Sequence, residues 1–122
     1  HKHQQLDLSR NQIRVLLLLQ GHAPLTINCI VTTFDVANTP PYITVSYARG
    51  EAHLLETIQV NYGYYSIRRN LFDFLSAFQE NTANHMYLWI DQICIDQKNI
   101  EERNHQVQQM QHIYKSCKFV IS

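Results

Sequence analysis

Residues 88–97 read LWIDQICIDQ. The stretch changes character half-way. Leu88, Trp89 and Ile90 close an apolar run that begins at Met86 and has the length of a short strand. Asp91 and Asp96 then bracket Gln92-Ile93-Cys94-Ile95, which reads as a loop unless its apolar residues turn inward. Asn99 with Glu102 three residues later has the spacing of a capping box, so the next helix spans residues 100–116. A strand followed by a helix is a β–α unit, in which the helix begins at the carboxyl edge of the strand before it. Asp91 therefore sits at the edge where open α/β sheets build their ligand sites.

Further towards the amino terminus the apolar period changes. Leu71, Phe74, Leu75 and Phe78 follow the i, i+3, i+4, i+7 spacing of a helix with one apolar face. Residues 57–60 and 64–67 are β-prone runs around Asn61-Tyr62-Gly63, which reads as a hairpin. Residues 42–47 (YITVSY) and the β-branched stretch 25–33 read as strands. Residues 13–19 are a Leu-rich run of strand length that a buried helix could also supply. Gly21-His22-Ala23-Pro24 and Asn38-Thr39-Pro40-Pro41 are breaks. The second half runs strand, helix, strand, helix, strand, which implies parallel strands joined by crossovers. The expectation is one α/β domain over residues 13–122 behind a polar lead-in at 1–12, with the domain cut short at its C-terminal end.

Composition narrows the function. Ten Lys and Arg balance ten Asp and Glu, so there is no cationic excess of the kind that nucleic acid or a polybasic membrane surface requires. The longest wholly apolar run, residues 15–19, is far short of a membrane span. Three cysteines (Cys29, Cys94 and Cys117) are widely spaced and form no Cys-x-x-Cys pair, which points to a reducing compartment, cytosolic or nuclear, and the cytoplasm is the expected location. His105 and His112 project from the second helix on the side away from Cys117, so no convergent zinc set is expected. The chain has neither a Gly-rich phosphate loop nor a G-x-S-x-G or H-E-x-x-H motif.

On a helical wheel, Val107, Met110, Ile113, Tyr114 and Cys117 share one face of the second helix, with Arg103 and Gln106 in the same sector. An arginine on a core-facing stripe is costly unless paired, and Asp91 or Asp96 is the expected partner. Such a pair reads first as scaffolding that pins the loop, and second as the edge of a binding or catalytic pocket. Glu102 has the same two readings, as the capping partner of Asn99 or as a catalytic carboxylate.

Several segments resemble, in order, the HET (heterokaryon incompatibility) domain family. Ile13-Arg14-Val15-Leu16 and residues 25–33 resemble its opening strands. Pro41-Tyr42-Ile43-Thr44-Val45-Ser46-Tyr47 resembles its P-Y-x-A-L-S-Y box, and Ile58-Gln59-Val60-Asn61-Tyr62 its I-x-V-N-G. Arg69-Asn70-Leu71 resembles the N-L that opens its next helix. Residues 88–97 resemble L-W-I-D-A-I-C-I-N-Q, and Glu102-Arg103, Gln106-Val107, Met110 and Ile113-Tyr114 its E-R-x-x-Q-V-x-x-M-x-x-I-Y helix. The chain departs from the family at Arg49, where the S-Y-x-W-G pattern has Trp, and at Tyr62, where I-x-V-N-G has Gly.

The family is distantly similar to TIR domains. The resemblance therefore implies a TIR- or flavodoxin-like, mostly parallel central sheet with flanking helices and an inserted β-hairpin. It also implies an intracellular fungal self/non-self module that signals cell death by self-association or by binding a protein partner. The alternative it implies is an enzyme that takes NAD+ as substrate and cleaves it with a carboxylate, here Glu102, with Glu51 and Glu56 as further candidates. No cofactor is required under either reading. Tyr47, Arg49, Asp91, Asp96, Arg103 and Gln106 are the expected edge cluster. In the enzyme reading, Arg49 or Arg103 would bind phosphate, and Tyr47 or Trp89 would stack on a ring, although Trp89 lies inside a strand and reads as core.

Overall fold

The computed structural model describes residues 3–19, 27–45, 54–80, 86–118 and 120–121. Its elements are β1 (Gln12–Leu18), β2 (Asn28–Asp35), β3 (Tyr42–Val45), β4 (Leu55–Val60), β5 (Gly63–Arg68), α1 (Arg69–Glu80), β6 (Tyr87–Trp89), α2 (Asp91–Cys94), α3 (Ile100–Ser116) and β7 (Val120–Ile121). The Leu-rich run is a strand. Four consecutive residues of it, Ile13 to Leu16, are buried. Successive side chains of a strand point to opposite faces, so burial of all four means that both faces are covered. β1 accordingly lies inside the sheet, whose order is β5-β4-β2-β1-β6-β3-β7.

The α/β class holds, but the sheet is not mostly parallel. β1 runs antiparallel to both its neighbours, β2 and β6, and β4 runs antiparallel to β5. Parallel pairing joins β2 to β4, β3 to β6, and β3 to β7. The expected crossover is present: α3 carries the chain from β6 over β3 to β7. The expectation already held the β4–β5 hairpin, whose tight turn forces antiparallel pairing; what it lacked was a central β1 running antiparallel to both its neighbours. One expected strand shifts, and another is described only in part. The one at 25–33 is described as Asn28–Asp35, and the turn at 21–24 lies outside the described residues. The one at 42–47 is described to Val45, with Ser46 and Tyr47 outside.

The second expected helix has its expected span, 100–116, and the first contains all four of the apolar residues that marked it. In α1, Leu71 and Leu75 are buried, with Phe74 and Phe78 packed against the core. The stretch after β6 is a single helical turn, and Ile93, Cys94 and Ile95 all turn inward. In α3 the Asn99 side chain accepts the Glu102 N–H at 3.1 Å, which caps the helix start. The polar lead-in also packs. Leu6 is buried, and His3 Nε2 lies 2.7 Å from the Ile93 carbonyl oxygen.

The hairpin between β4 and β5 turns in two residues, not three, because Val60 pairs directly with Gly63. Asn61 and Tyr62 have φ of 50° and 68°. Positive φ at both central positions suits the right-handed twist of the flanking strands. Asn tolerates this region, whereas a bulky side chain does not. Tyr62 is 83% exposed and has no burial to offset the strain.

Two predictions follow from burial and backbone geometry. Tyr62→Gly relieves a left-handed penalty of about 1–2 kcal/mol and adds unfolded-chain entropy that costs about 0.4–1 kcal/mol. Urea unfolding is expected to show a net gain of roughly 0.5–1 kcal/mol, and an unchanged or lower midpoint contradicts the strain. Burial pushes the Cys29 and Cys94 thiols up to about 12. Both are therefore expected to resist iodoacetamide at neutral pH until the protein unfolds. Labelling of either one in the native state, read by peptide mass, would refute their placement in the core.

Candidate functional site

The edge cluster is built around a residue of β1. Leu16 pairs with Leu88, so two residues further along the antiparallel register Arg14 arrives beside Ile90. That places a cation at the carboxyl edge of β6, where α2 and α3 begin. The Arg14 side chain is 2% exposed and that of Glu102 1%. They meet as a fork: Nη1 donates to Oε2 at 2.7 Å and Nη2 to Oε1 at 2.6 Å. Nη1 also donates to the Cys94 carbonyl at 3.0 Å, and Nη2 to the Gln4 carbonyl at 2.6 Å. Glu102 Oε2 accepts the Asp96 N–H as well, at 2.5 Å. The carboxylate sits in the first turn of α3, where the helix dipole favours negative charge.

This fork sets the rotation of α3. With Glu102 turned inward, Gln106 lies about 40° and Ile113 about 20° round the helix from it, and Val107 about 140°. Gln106 and Ile113 are accordingly buried, and Val107 is 62% exposed. The wheel based on apolar residues alone had placed Val107 on the core side. Gln106 spans to β1, its Nε2 donating to the Gln12 carbonyl at 2.9 Å.

Arg103 is not the buried cation. It is exposed, and among the described residues no ion pair joins it to Asp91 or Asp96. A helical rotation that buries Glu102 carries its neighbour outwards, and Arg14 supplies the charge that Arg103 was expected to bring. Arg103 instead borders a shallow groove of about 330 Å³, with Tyr65, Ser66, Arg68, Gln92 and Gln97. Asp91 opens α2, and its carbonyl accepts Gln97 Nε2 at 2.8 Å. Asp96 Oδ1 accepts the Lys98 N–H at 3.2 Å and lies 3.9 Å from His3 Nδ1. The edge thus brings Asp96, Glu102 and Gln106 together and leaves Arg103 outside.

Trp89 is core, edge-on to Tyr114 at 6.2 Å. Glu56 lies on β4, with Oε1 3.6 Å from Arg69 Nη1. Tyr47, Arg49 and Glu51 lie outside the described residues. Among the described residues, no three His, Cys, Asp or Glu side chains are grouped to hold a metal ion.

Sequence reasoning asked for a buried arginine at this edge and chose the wrong one. The signal for the right one was present: Arg14 is the one charge inside the apolar run 13–19. A central strand cannot bury a guanidinium without a carboxylate to meet it. Chemically the arrangement is a fastener. Both oxygens of Glu102 are engaged by donors, and the group is closed to solvent.

Comparison with known proteins bears on what kind of domain is fastened in this way. The family described as heterokaryon incompatibility protein (HET) matches residues 42–122. Heterokaryon incompatibility protein 6, OR allele, of Neurospora crassa is 32% identical over 105 residues, which covers 76% of this chain. The chain belongs to the HET family. It spans 15% of the length of that Neurospora relative. No solved structure matches it. Within this HET chain Glu102 lies inside the matched residues, and its partner Arg14 precedes them.

Removing one partner of a buried pair strands the other charge. Arg14→Ala and Glu102→Ala are each expected to cost about 3–5 kcal/mol. The double change Arg14→Met with Glu102→Leu is expected to recover most of that loss, because apolar residues of similar volume often replace buried pairs without penalty. Arg103→Ala is expected to stay within about 0.5 kcal/mol, as for an ordinary surface position. Urea unfolding of the four variants checks the set, and a loss at Arg103 equal to that at Arg14 would sink the assignment.

Proposed function

We propose that this chain is the HET part of a fungal heterokaryon incompatibility protein and acts in the cytoplasm as a self/non-self signalling module. Its output is cell death, reached by self-association or by binding a protein partner. The observation that carries this reading is the family match over residues 42–122. The name of the Neurospora relative supports it.

The geometry is consistent with a module that works by contact. Glu102, the carboxylate that the enzyme reading would use, is closed off by Arg14. Large apolar side chains are instead displayed on the surface. Leu54, Leu55, Tyr62 and Tyr64 stand exposed on and beside the β4–β5 hairpin, and Ile100 and Val107 on α3. Exposed apolar groups gathered on one element are a common mark of interaction surfaces. No helix of the described residues is long and apolar enough to cross a membrane.

The test is to express the full chain in a filamentous fungus, fused to a dimeriser that a small molecule controls. Growth is expected to arrest when the inducer is added, and not with Arg14→Ala, whose fold is weakened. Normal growth of the wild-type fusion, at confirmed expression and dimerisation, would remove the main support for a signalling role.

A further inference from the structure

β4 accompanies only the first part of β2. The two strands pair at Asn28 with Gln59 and at Cys29 with Val60, and β4 then turns away at Asn61. Beyond Cys29, β2 continues to Asp35, and over that part it has, among the described residues, a strand neighbour only on the β1 side. The hydrogen bonds that bracket the β1–β2 ladder show which groups face the open side. Leu19 N–H donates to the Asn28 carbonyl at 2.9 Å, and Val36 N–H to the Asn11 carbonyl at 2.8 Å. Residues that exchange bonds alternate with those that do not in an antiparallel pair. Asn28, Ile30, Thr32 and Phe34 therefore bond to β1, while Cys29, Val31 and Thr33 turn their N–H and C=O groups outwards.

Asn61 answers the first of these outward positions. Its N–H donates to the Cys29 carbonyl at 3.0 Å. Its side-chain Oδ1 accepts the Val31 N–H at 2.7 Å, and its Nδ2 donates to the Val31 carbonyl at 3.1 Å. A carboxamide presents the same donor and acceptor as a peptide unit. Asn61 thus stands where the next residue of a neighbouring strand would be. Thr33 is the following outward residue, about 7 Å along the strand, and nothing among the described residues bonds to its outward N–H or C=O.

A cleft of about 490 Å³ opens at this point, between β2 and the amino-terminal segment, bordered by Gln4, Gln12, Arg14, Val31, Thr33 and Asn61. Arg14 Nε is buried there without a hydrogen-bond partner, because the fork to Glu102 uses the other two nitrogens. The charge of Arg14 is already neutralised by Glu102, and Asp7 at the border adds a negative charge. His3 also lines the cleft, but its ring nitrogens face the Ile93 carbonyl at 2.7 Å and Asp96 at 3.9 Å, so an anion would have to compete with partners already in place. Neutral donors and acceptors beside an open strand edge match a peptide backbone.

The geometry points to a peptide-binding cleft. An extended, uncharged segment of a partner protein adds to β2 next to Asn61 and exchanges two backbone hydrogen bonds with Thr33. Main-chain bonding supplies affinity in this mode of recognition, and flanking side chains supply selectivity. The inference stands on the cleft alone and holds whether or not the chain signals incompatibility.

A displayed library of random dodecapeptides, selected on the full chain, provides the probe. Recovered peptides are expected to slow hydrogen exchange of the Thr33 amide and to lose roughly tenfold or more in affinity for Thr33→Pro. Proline at 33 removes only an outward N–H and leaves the bonds to β1 in place. Should that variant unfold, single N-methylation along the probe decides. Loss of binding at alternate amides supports strand addition, and tolerance at every amide overturns it. Recovery of no binder also overturns the inference, as do binders that leave Thr33 exchange unchanged.

Discussion

The fork between Arg14 and Glu102 ties together four pieces of chain that are distant in sequence. Arg14 belongs to the central strand, Glu102 to the first turn of α3, the Cys94 carbonyl to the end of α2 and the Gln4 carbonyl to the amino-terminal segment. Desolvating two ions costs several kcal/mol for each, and their attraction repays that only when the geometry is good and further hydrogen bonds satisfy the remaining lone pairs and protons. Here backbone groups of the neighbouring elements supply those bonds for both terminal nitrogens of Arg14 and for Glu102, and Arg14 Nε alone goes without. The ion pair and the local fold therefore impose geometry on each other. Helix rotation, loop conformation and the seat of the lead-in all have to be compatible with one fork.

That constraint shapes what the edge can do. The carboxyl edge of an α/β sheet is the usual place for a ligand, because helix starts and loops leave a crevice there. In this HET chain the crevice beside β6 is filled by the ion pair and by Ile93, Cys94 and Ile95. Two open features among the described residues lie to the side. One is the groove bordered by Arg103, and the other is the polar cleft along the outer part of β2. The cleft exists because the β4–β5 hairpin turns early, and that tight turn leaves part of β2 without a second neighbour among the described residues.

Much of the local structure was legible in the residues. Asn99 and Glu102 marked the start of α3, and the structure places the cap there. The 3.6-residue period of Leu71, Phe74, Leu75 and Phe78 marked α1. The β-prone runs around Asn61 marked the hairpin. Local pattern works in these cases because caps, turns and amphipathic stripes are decided by neighbours a few residues away. The wheel of α3 failed for a matching reason. It ranked side chains by apolarity and gave the core to Val107, whereas Val107 is exposed and a charged residue, Glu102, is buried. Charge goes inside only when a distant partner receives it, and no local window contains Arg14.

By itself, then, the sequence determined the α/β class, most of the succession of strands and helices, and the family. Only the tertiary structure decided that Arg14 and not Arg103 is the buried cation, which way α3 faces, and that parallel and antiparallel pairings share the sheet. Each of these depends on contacts between residues far apart in the chain, where register and burial rather than propensity fix the outcome. The stretch 88–97 shows the division. Its strand and its inward-turning apolar residues are written in its own letters, but its Asp96 N–H and Cys94 carbonyl find their partners in Glu102 and Arg14, which lie outside it.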